Sequence, residues 1–532
     1  VPVTDKLKFR VAANWVDQNG FIDNVATGNK VPQVDQKTAR IKSTYNLNED
    51  IDLHFMYQRD ELNVLGDAFQ PTIDASGAMR AMDPATDLDL DKRKSSYVSA
   101  GIHGGESYED QKADRGAITV NINFSDYILT SLTGYSSYDN RYVNDGDFSA
   151  GDYLISVVNS EFNQTTQELR LASPLKDDGN FVVGLFVLGS TFKRVNPIFA
   201  DYPAGLSPVL PAVSGNVTNH FDQDTFASSL FGQSTWNITN SQRVTLGMRY
   251  TREHKEALLM RTTTEPTLFS AAVYPTFDLT DLERTENSFD GSINYQVDFA
   301  KDQMAYASWG KGTKSGGFSE STTLVEDAEY GTEVAKTSEL GVKMKLLGGR
   351  ARLNAAIFYT EIDNFQLVFF TGLGFTTQTL PARSQGYEMD GMMLLTEHLT
   401  LSGGLTRADV KNPDTGEQMA RAPKYTGNLA LHYEHPFFDG LVGGVETVIN
   451  YRDKMYHEMG EVALADAATR YDLRLSLSNL NKDWEVALLG KNLGGKTVSS
   501  YGFKAPIVLD ESTQIEALEA KRTYSLQAKY NF

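Results

Sequence analysis

Cysteine is absent from the 532 residues, so no disulfide can staple the chain and no thiol can serve as nucleophile or metal ligand. Proline is scarce, at 16 residues, and no Pro-rich, Gly/Ser-rich or single-charge tract marks a linker between domains. Positive charge is in deficit: 49 Lys and Arg face 69 Asp and Glu, a net charge of −20 that argues against a nucleic-acid partner. Long hydrophobic runs are missing too. The best one, 181–192, is shorter than the roughly 18 residues a transmembrane helix requires. No signal peptide is visible, and the chain opens on Val1 without methionine, as a mature or truncated piece would.

What is present points to β-structure. Glycine is plentiful (43), and 25 Tyr with 28 Phe supply most of the aromatic residues, a mixture suited to strands joined by turns. A mean hydropathy of −0.35 does not oppose a membrane location, because barrel strands turn only alternate residues to lipid.

Period-two alternation runs through almost the whole chain. Tyr471, Leu473, Leu475 and Leu477 share one face while Asp472, Arg474 and Ser476 share the other. Val244, Leu246, Met248 and Tyr250 oppose Arg243, Thr245, Gly247 and Arg249 in the same way. The final stretch repeats it, with Tyr524, Leu526, Ala528, Tyr530 and Phe532 in phase. About twenty such strands are predicted, roughly at 6–16, 36–48, 50–60, 112–124, 127–141, 161–173, 180–195, 223–238, 241–259, 281–298, 301–312, 336–347, 349–367, 383–396, 398–411, 423–435, 440–456, 468–480, 482–494 and 520–532. At about ten residues or more they exceed the five or six usual in soluble sandwiches.

The connections alternate in length. Tight turns such as Asn48-Glu49, Ser125-Asp126, Thr239-Asn240, Gly348-Gly349 and Asn481-Lys482 are separated by long segments, among them 61–111, 142–160, 196–222 and 495–519. Short turns on one rim and long loops on the other are the pattern of an outer-membrane antiparallel β-barrel, with periplasmic turns and extracellular loops. The expected fold is therefore all-β, one transmembrane barrel domain over 1–532, in the outer membrane of a Gram-negative bacterium.

Several stretches resemble, in order, those of TonB-dependent outer-membrane receptors: Tyr306-Ala-Ser-Trp-Gly-Lys-Gly-Thr-Lys-Ser-Gly-Gly-Phe318, Thr337-Ser-Glu-Leu-Gly-Val-Lys343, Leu353-Asn-Ala-Ala-Ile-Phe-Tyr359, Ser384-Gln-Gly-Tyr-Glu388, Ala422-Pro-Lys-Tyr-Thr-Gly-Asn428, Gly490-Lys-Asn-Leu493 and the terminal Arg522-Thr-Tyr to Tyr530-Asn-Phe532. Pro2-Val-Thr-Asp5 and Gly20-Phe-Ile-Asp23 resemble the family's third-strand region. The resemblance implies a barrel of about 22 strands around a plug, so the plug and first two strands would be missing from this sequence. It further implies an active importer coupled to a TonB-type energy-coupling protein through that plug, with ferric siderophores as the default substrate class. Lipopolysaccharide, the bilayer and the barrel-assembly machinery are the other expected partners, Tyr530 and Phe532 forming the assembly signal. A plugless structural or interaction barrel and a passive porin are the alternatives. A final strand without its usual neighbour must find one, either in missing residues or in strand 6–16.

Site candidates follow from the loops. Aromatic residues gather where strands meet long loops (Tyr135, Tyr138, Tyr142, Phe148, Tyr153, Phe199, Tyr202, Tyr274 and Tyr456), near Arg141, Arg252, Lys311 and Lys314. They read either as a membrane-interface girdle or as a ligand-stacking vestibule. Arg141, Tyr142, Tyr153, Tyr202, Arg252, Lys311, Lys314 and Tyr456 are the vestibule candidates. Asp145, Asp147 and Asp152 cluster oxygen ligands that could take Ca²⁺, although the terminal glutamate of an EF-hand is lacking. No other cofactor is expected. The glycine-rich 310–317 lacks phosphate-loop spacing and a following helix. The eight histidines, His54, His103, His220, His254, His398, His432, His435 and His457, show no H-E-x-x-H pair. The Phe-Arg-Ala-Pro and Asn-Pro-Asn-Leu boxes of haem receptors are absent. Nothing marks an activated serine, so no enzymatic function is expected.

Overall fold

A computed structural model describes residues 3–75, 77–98, 105–202, 212–322, 324–370, 375–437, 440–505 and 513–531. Twenty long strands make one antiparallel sheet. They are β1 (Leu7–Gln18), β2 (Gln33–Asn46), β3 (Ile51–Leu65), β4 (Tyr108–Phe124), β5 (Tyr127–Asp145), β6 (Leu154–Ala172), β7 (Gly179–Tyr202), β8 (Val213–Thr239), β9 (Gln242–Thr262) and β10 (Phe277–Ala300). The second half comprises β11 (Gln303–Lys314), β12 (Glu333–Leu346), β13 (Ala351–Phe370), β14 (Phe375–Leu394), β15 (Leu399–Lys411), β16 (Tyr425–Phe437), β17 (Leu441–Arg452), β18 (Ala468–Asn479), β19 (Trp484–Lys491) and β20 (Thr523–Tyr530). Each pairs with the next along the chain, a meander from β1 to β20.

Every expected strand is found. The differences lie at the long-loop end, where β7 and β8 reach 24 and 27 residues, more than twice the about 9–11 needed to cross a bilayer. Beyond the apolar band the outward residues turn polar, as with Thr191, Lys193, Asp222 and Asp224, so alternation fades from the sequence while the hydrogen-bonded ladder continues.

The two faces separate cleanly. Outward positions expose Leu185, Leu230, Met248, Tyr250, Phe289, Leu340, Leu475 and Leu488, the apolar surface that lipid would cover. Polar inward positions pair across the lumen wall, as Arg474 with Glu485 and Arg243 with Asp298. Some motif residues have a steric reason. Tyr306 lies opposite Gly341, where an added Cβ would meet the tyrosine ring at 2.5 Å. Phe358 lies opposite Gly386, where a Cβ would also stand 1.8 Å from the Arg407 carbonyl oxygen. Glycine here makes room for a cross-strand aromatic ring.

No register pair joins β1 to β20 among the described residues. Trp15 and Val11 on β1, and Tyr524, Leu526 and Tyr530 on β20, are strongly exposed. Tyr530 pairs with Trp484 and faces outward; Phe532 lies outside the described residues, as does His103.

At the long-loop end, connections fold into small sheets rather than coil. Phe69–Ile73 joins Ser499–Lys504 and Gln514–Leu518, Ile22–Asn24 joins Lys30–Val31 and Lys94–Ser95, and Met455–Glu458 pairs with Val462–Ala465. The hairpin tips at the other end are tight.

Candidate functional site

The largest buried apolar cluster sits not in mid-barrel but among the long loops. It gathers Met79, Tyr97, Phe148, Ile198, Tyr202, Val217, Phe269, Tyr274, Phe503 and Ile515 from distant stretches of chain. Phe503 is its hub, with ring centroids 5.6 Å from Phe69, 5.7 Å from Phe148 and 5.5 Å from Phe370. Edge-on and tilted contacts of this kind add to the burial of each ring.

Below this roof opens a cavity of about 540 Å³. Inward residues of β5 to β8 form its wall: Tyr138, Asn140 and Tyr142, then Ser156 and Ser160, Phe192, Arg194 and Asn196, and Asn219. Phe370 and Phe375, at the tip of the β13–β14 hairpin, close it from another side with Tyr501, Glu320 and Ser321. The rings are in contact, Tyr138 with Phe162 at 5.4 Å and Phe192 with Phe221 at 5.9 Å. A mainly apolar hollow with a few convergent polar groups is what an organic ligand requires.

Polar groups in the wall are held by a ladder across four strands. Asn196 donates to Ser156 Oγ at 2.8 Å, and Arg261 donates through Nε to Asn219 Oδ1 at 2.6 Å and through Nη2 to the Thr322 carbonyl at 2.6 Å. The Arg261 guanidinium also lies 5.3 Å from the Tyr274 ring and 4.9 Å from that of Phe277. It thereby ties the 263–276 and 315–332 loops to β9.

The acidic loop is built differently from a calcium site. Asp147 accepts from the backbone N–H groups of Ser149, Tyr153 and Leu154 at 3.1, 3.1 and 2.8 Å, and from the Ser149 hydroxyl. Asp145 Oδ1 accepts from the N–H groups of Asp147 and Phe148. Asp152 is exposed. The three carboxylates therefore do not converge, and no group of three or more acidic or histidine side chains is placed to hold a metal among the described residues. Burial raises the Asp147 carboxyl well above the usual carboxylate range. Asp67 is pushed up to about 6, by burial first and then by Glu109 and Glu106, against the hydrogen bonds of Ser107 and Tyr142.

The vestibule candidates divide. Tyr142 lines the cavity, and Tyr153 stacks on Tyr202 with centroids 5.8 Å apart in the roof. Arg141, Arg252 and Lys311 face outward instead. Arg141 is in phase with exposed Tyr135 and lies over the Tyr108 ring, Arg252 is in phase with Tyr250, and Lys311 with Trp309. The physical reason is the strict two-residue period, which carries each onto the face of its lipid-side neighbours. Lys314 is exposed at the end of β11, opposite Glu333. Tyr456 sits in the Met455–Glu458 hairpin, its carbonyl accepting from the Arg421 N–H at 2.7 Å, away from the cavity. Sequence reading missed Arg194, Glu320, Phe370, Phe375, Tyr501 and Phe503. Arg194 carried one signal, its phase with Phe192 opposite the outward Leu185 and Val187.

Comparison with known proteins agrees with this architecture. The family described as TonB dependent receptor-like, beta-barrel, matches residues 57–493. The metal-pseudopaline receptor CntO of Pseudomonas aeruginosa is 25% identical over 240 residues, 44% of this chain and 31% of that protein. The probable TonB-dependent siderophore receptor PiuA of Acinetobacter baumannii is 25% identical over 306 residues, 52% of this chain and 38% of that one. The chain thus aligns with about a third of the length of these relatives. Among solved structures, the ferric yersiniabactin uptake receptor FyuA from Yersinia pestis superposes with a TM-score of 0.83 at 16% identity, covering all of this chain and 76% of the other.

Proposed function

Because the chain belongs to the TonB-dependent receptor β-barrel family, whose members reside in the Gram-negative outer membrane, we propose that it is the barrel of an active importer that captures a scarce nutrient, by default a ferric siderophore. The aromatic cavity at the extracellular end carries this reading. It is of ligand size, it is walled by Tyr138, Phe192, Phe370 and Phe375, and it stands where a solute from outside would arrive. The names of the relatives, receptors for metal–pseudopaline and for siderophores, support the substrate class. Transport would need a plug and a TonB-type coupling protein. The barrel supplies the lipid-compatible wall, the polar lumen and the loop-built vestibule. Lipopolysaccharide and the barrel-assembly machinery complete the partners of this reading.

The test is growth and uptake. A strain lacking the complete gene is compared with its parent under iron limitation with supplied ferric siderophores, and on defined carbon sources. Loss of growth and of iron accumulation with one siderophore supports the reading. Unchanged iron uptake with a defect on one carbohydrate replaces the substrate class, and a coding sequence joining a signal peptide directly to Val1 would remove the importer.

A further inference from the structure

The connection between β11 and β12 is exposed at Leu324 and Val325 but not along its whole length. Its first part, 315–322, lies against the barrel wall and over the cavity. Phe318 is buried against Phe221 and Leu259. The Thr322 carbonyl accepts from Arg261. Ser319 Oγ accepts from the Thr377 N–H at 3.3 Å, and the Ser321 hydroxyl donates to the Phe375 carbonyl at 3.1 Å. This strap therefore bridges the β7–β9 wall to the tip of the β13–β14 hairpin. Glu320, at its centre, forms an ion pair with Arg194 of β7.

Arg194 is the one basic residue among those described that line the cavity, and its side chain is four-fifths buried. Nη1 is taken by Glu320, and Nε is buried without an acceptor. A guanidinium offers five N–H donors in a planar fork suited to two oxygens of one anion. Here the fork is under-used, in a hollow whose other walls are aromatic rings, Asn and Ser side chains and, besides Glu320, the carboxylate of Glu109. Glu320 remains partly exposed on a connecting loop, so it is the more movable partner.

We propose that Arg194 is the residue on which the acidic group of a ligand docks, and that Glu320 occupies that position until an aromatic anion replaces it. This rests on the cavity being the ligand vestibule. The exchange substitutes one carboxylate for another, so a buried guanidinium never stands unpaired, the state that costs most. It also frees the centre of the strap, so occupancy of the cavity is reported to the extracellular loops. Ligands without an acid cannot make the exchange, which makes Arg194 and Glu320 a specificity pair.

These 532 residues hold no cysteine, so one introduced at Glu326 is the only thiol among them, and any thiol elsewhere in the receptor is first replaced by serine. In the complete receptor in detergent, a nitroxide on Glu326→Cys reads strap mobility. Glu320→Gln should raise it, and the exchanged pair Arg194→Glu with Glu320→Arg should restore it. Equal mobility in all three overturns the latch. The ligand probe is 1-hydroxy-2-naphthoate, a fluorescent aromatic acid, with its neutral amide as control. Glu320→Gln should bind the acid about ten-fold more tightly than the parent, Arg194→Gln should lose that gain, and the amide should bind all forms alike. No gain in Glu320→Gln, or a gain shared by the amide, overturns the anion exchange. A passed exchange test with unchanged iron uptake in the deletion strain would leave this pair standing and remove the importer reading.

Discussion

Arg474 on β18 and Glu485 on β19 meet on the lumen side of the sheet, Nη2 to carboxylate oxygen at 2.6 Å, while Leu475, next to Arg474, and Leu488, three residues beyond Glu485, face each other on the outside. One position of register decides whether a side chain meets water or lipid.

That relationship predicts an asymmetry. Arginine on the lipid side of mid-membrane costs about 2–4 kcal/mol, so Leu475→Arg should sharply lower the folded fraction in vesicles, read by gel mobility and urea titration. Leu353→Arg should do the same. Arg352→Leu and Arg474→Leu should cost much less, although the latter leaves Glu485 without its partner. Similar losses for both classes would reverse the faces.

Two loop regions should respond to acid in opposite directions. Asp67 has its pKa raised from 3.8 to about 6 in the folded loops. The protonated form is the favoured one, so its stabilisation is full below about 4 and is lost as pH rises through about 6. His457 is pushed down from 6.5 to about 4 by burial, helped by Arg452 and Arg421. Its neutral form, with Nε2 2.9 Å from Ser499 Oγ, is favoured, so its contribution is full above about 6.5 and is lost as pH falls through about 4. Hydrogen exchange, corrected for intrinsic rates, should slow near 66–73 and quicken near 455–465 between pH 6.5 and 4.5. Asp67→Asn and His457→Gln should each flatten the local response.

Asp147 should matter to the acidic loop far more than Asp152. Removing an acceptor that satisfies three backbone N–H groups leaves buried donors unpaired, at about 1–3 kcal/mol each. Asp147→Ala should expose 146–154 to proteolysis, and Asp152→Ala should not. Calcium or a chelator should leave either pattern unchanged; calcium-dependent protection lost in Asp152→Ala would restore the three-carboxylate site.

Arg261 anchors two loops through one guanidinium, so Arg261→Lys should not substitute for it. Lysine keeps the charge but cannot span Asn219, the Pro275 carbonyl and the Thr322 carbonyl together. Increased exchange in both 263–276 and 315–322 is expected, with β9 unaffected. A change confined to one loop would show that the two are held separately.

The alternation of Tyr471 to Leu477 or Val244 to Tyr250 is local chemistry. It specified strands, faces, turns and hence the barrel, because each residue's side of a pleated strand follows from its neighbour's. The same parity, extended past the membrane, would have placed Arg141 with Tyr135 and Arg252 with Tyr250, on the outside; their charge drew attention where their phase should have ruled. No local rule joins Arg194 to Glu320, 126 residues away, or brings Phe69, Phe148, Phe370 and Phe503 into one cluster. Those meetings depend on how twenty strands curl and where long loops fall, and loop sequences carry no periodic constraint on their path. The sequence alone determined the wall of this protein; only the tertiary structure decided what the loops enclose at its mouth.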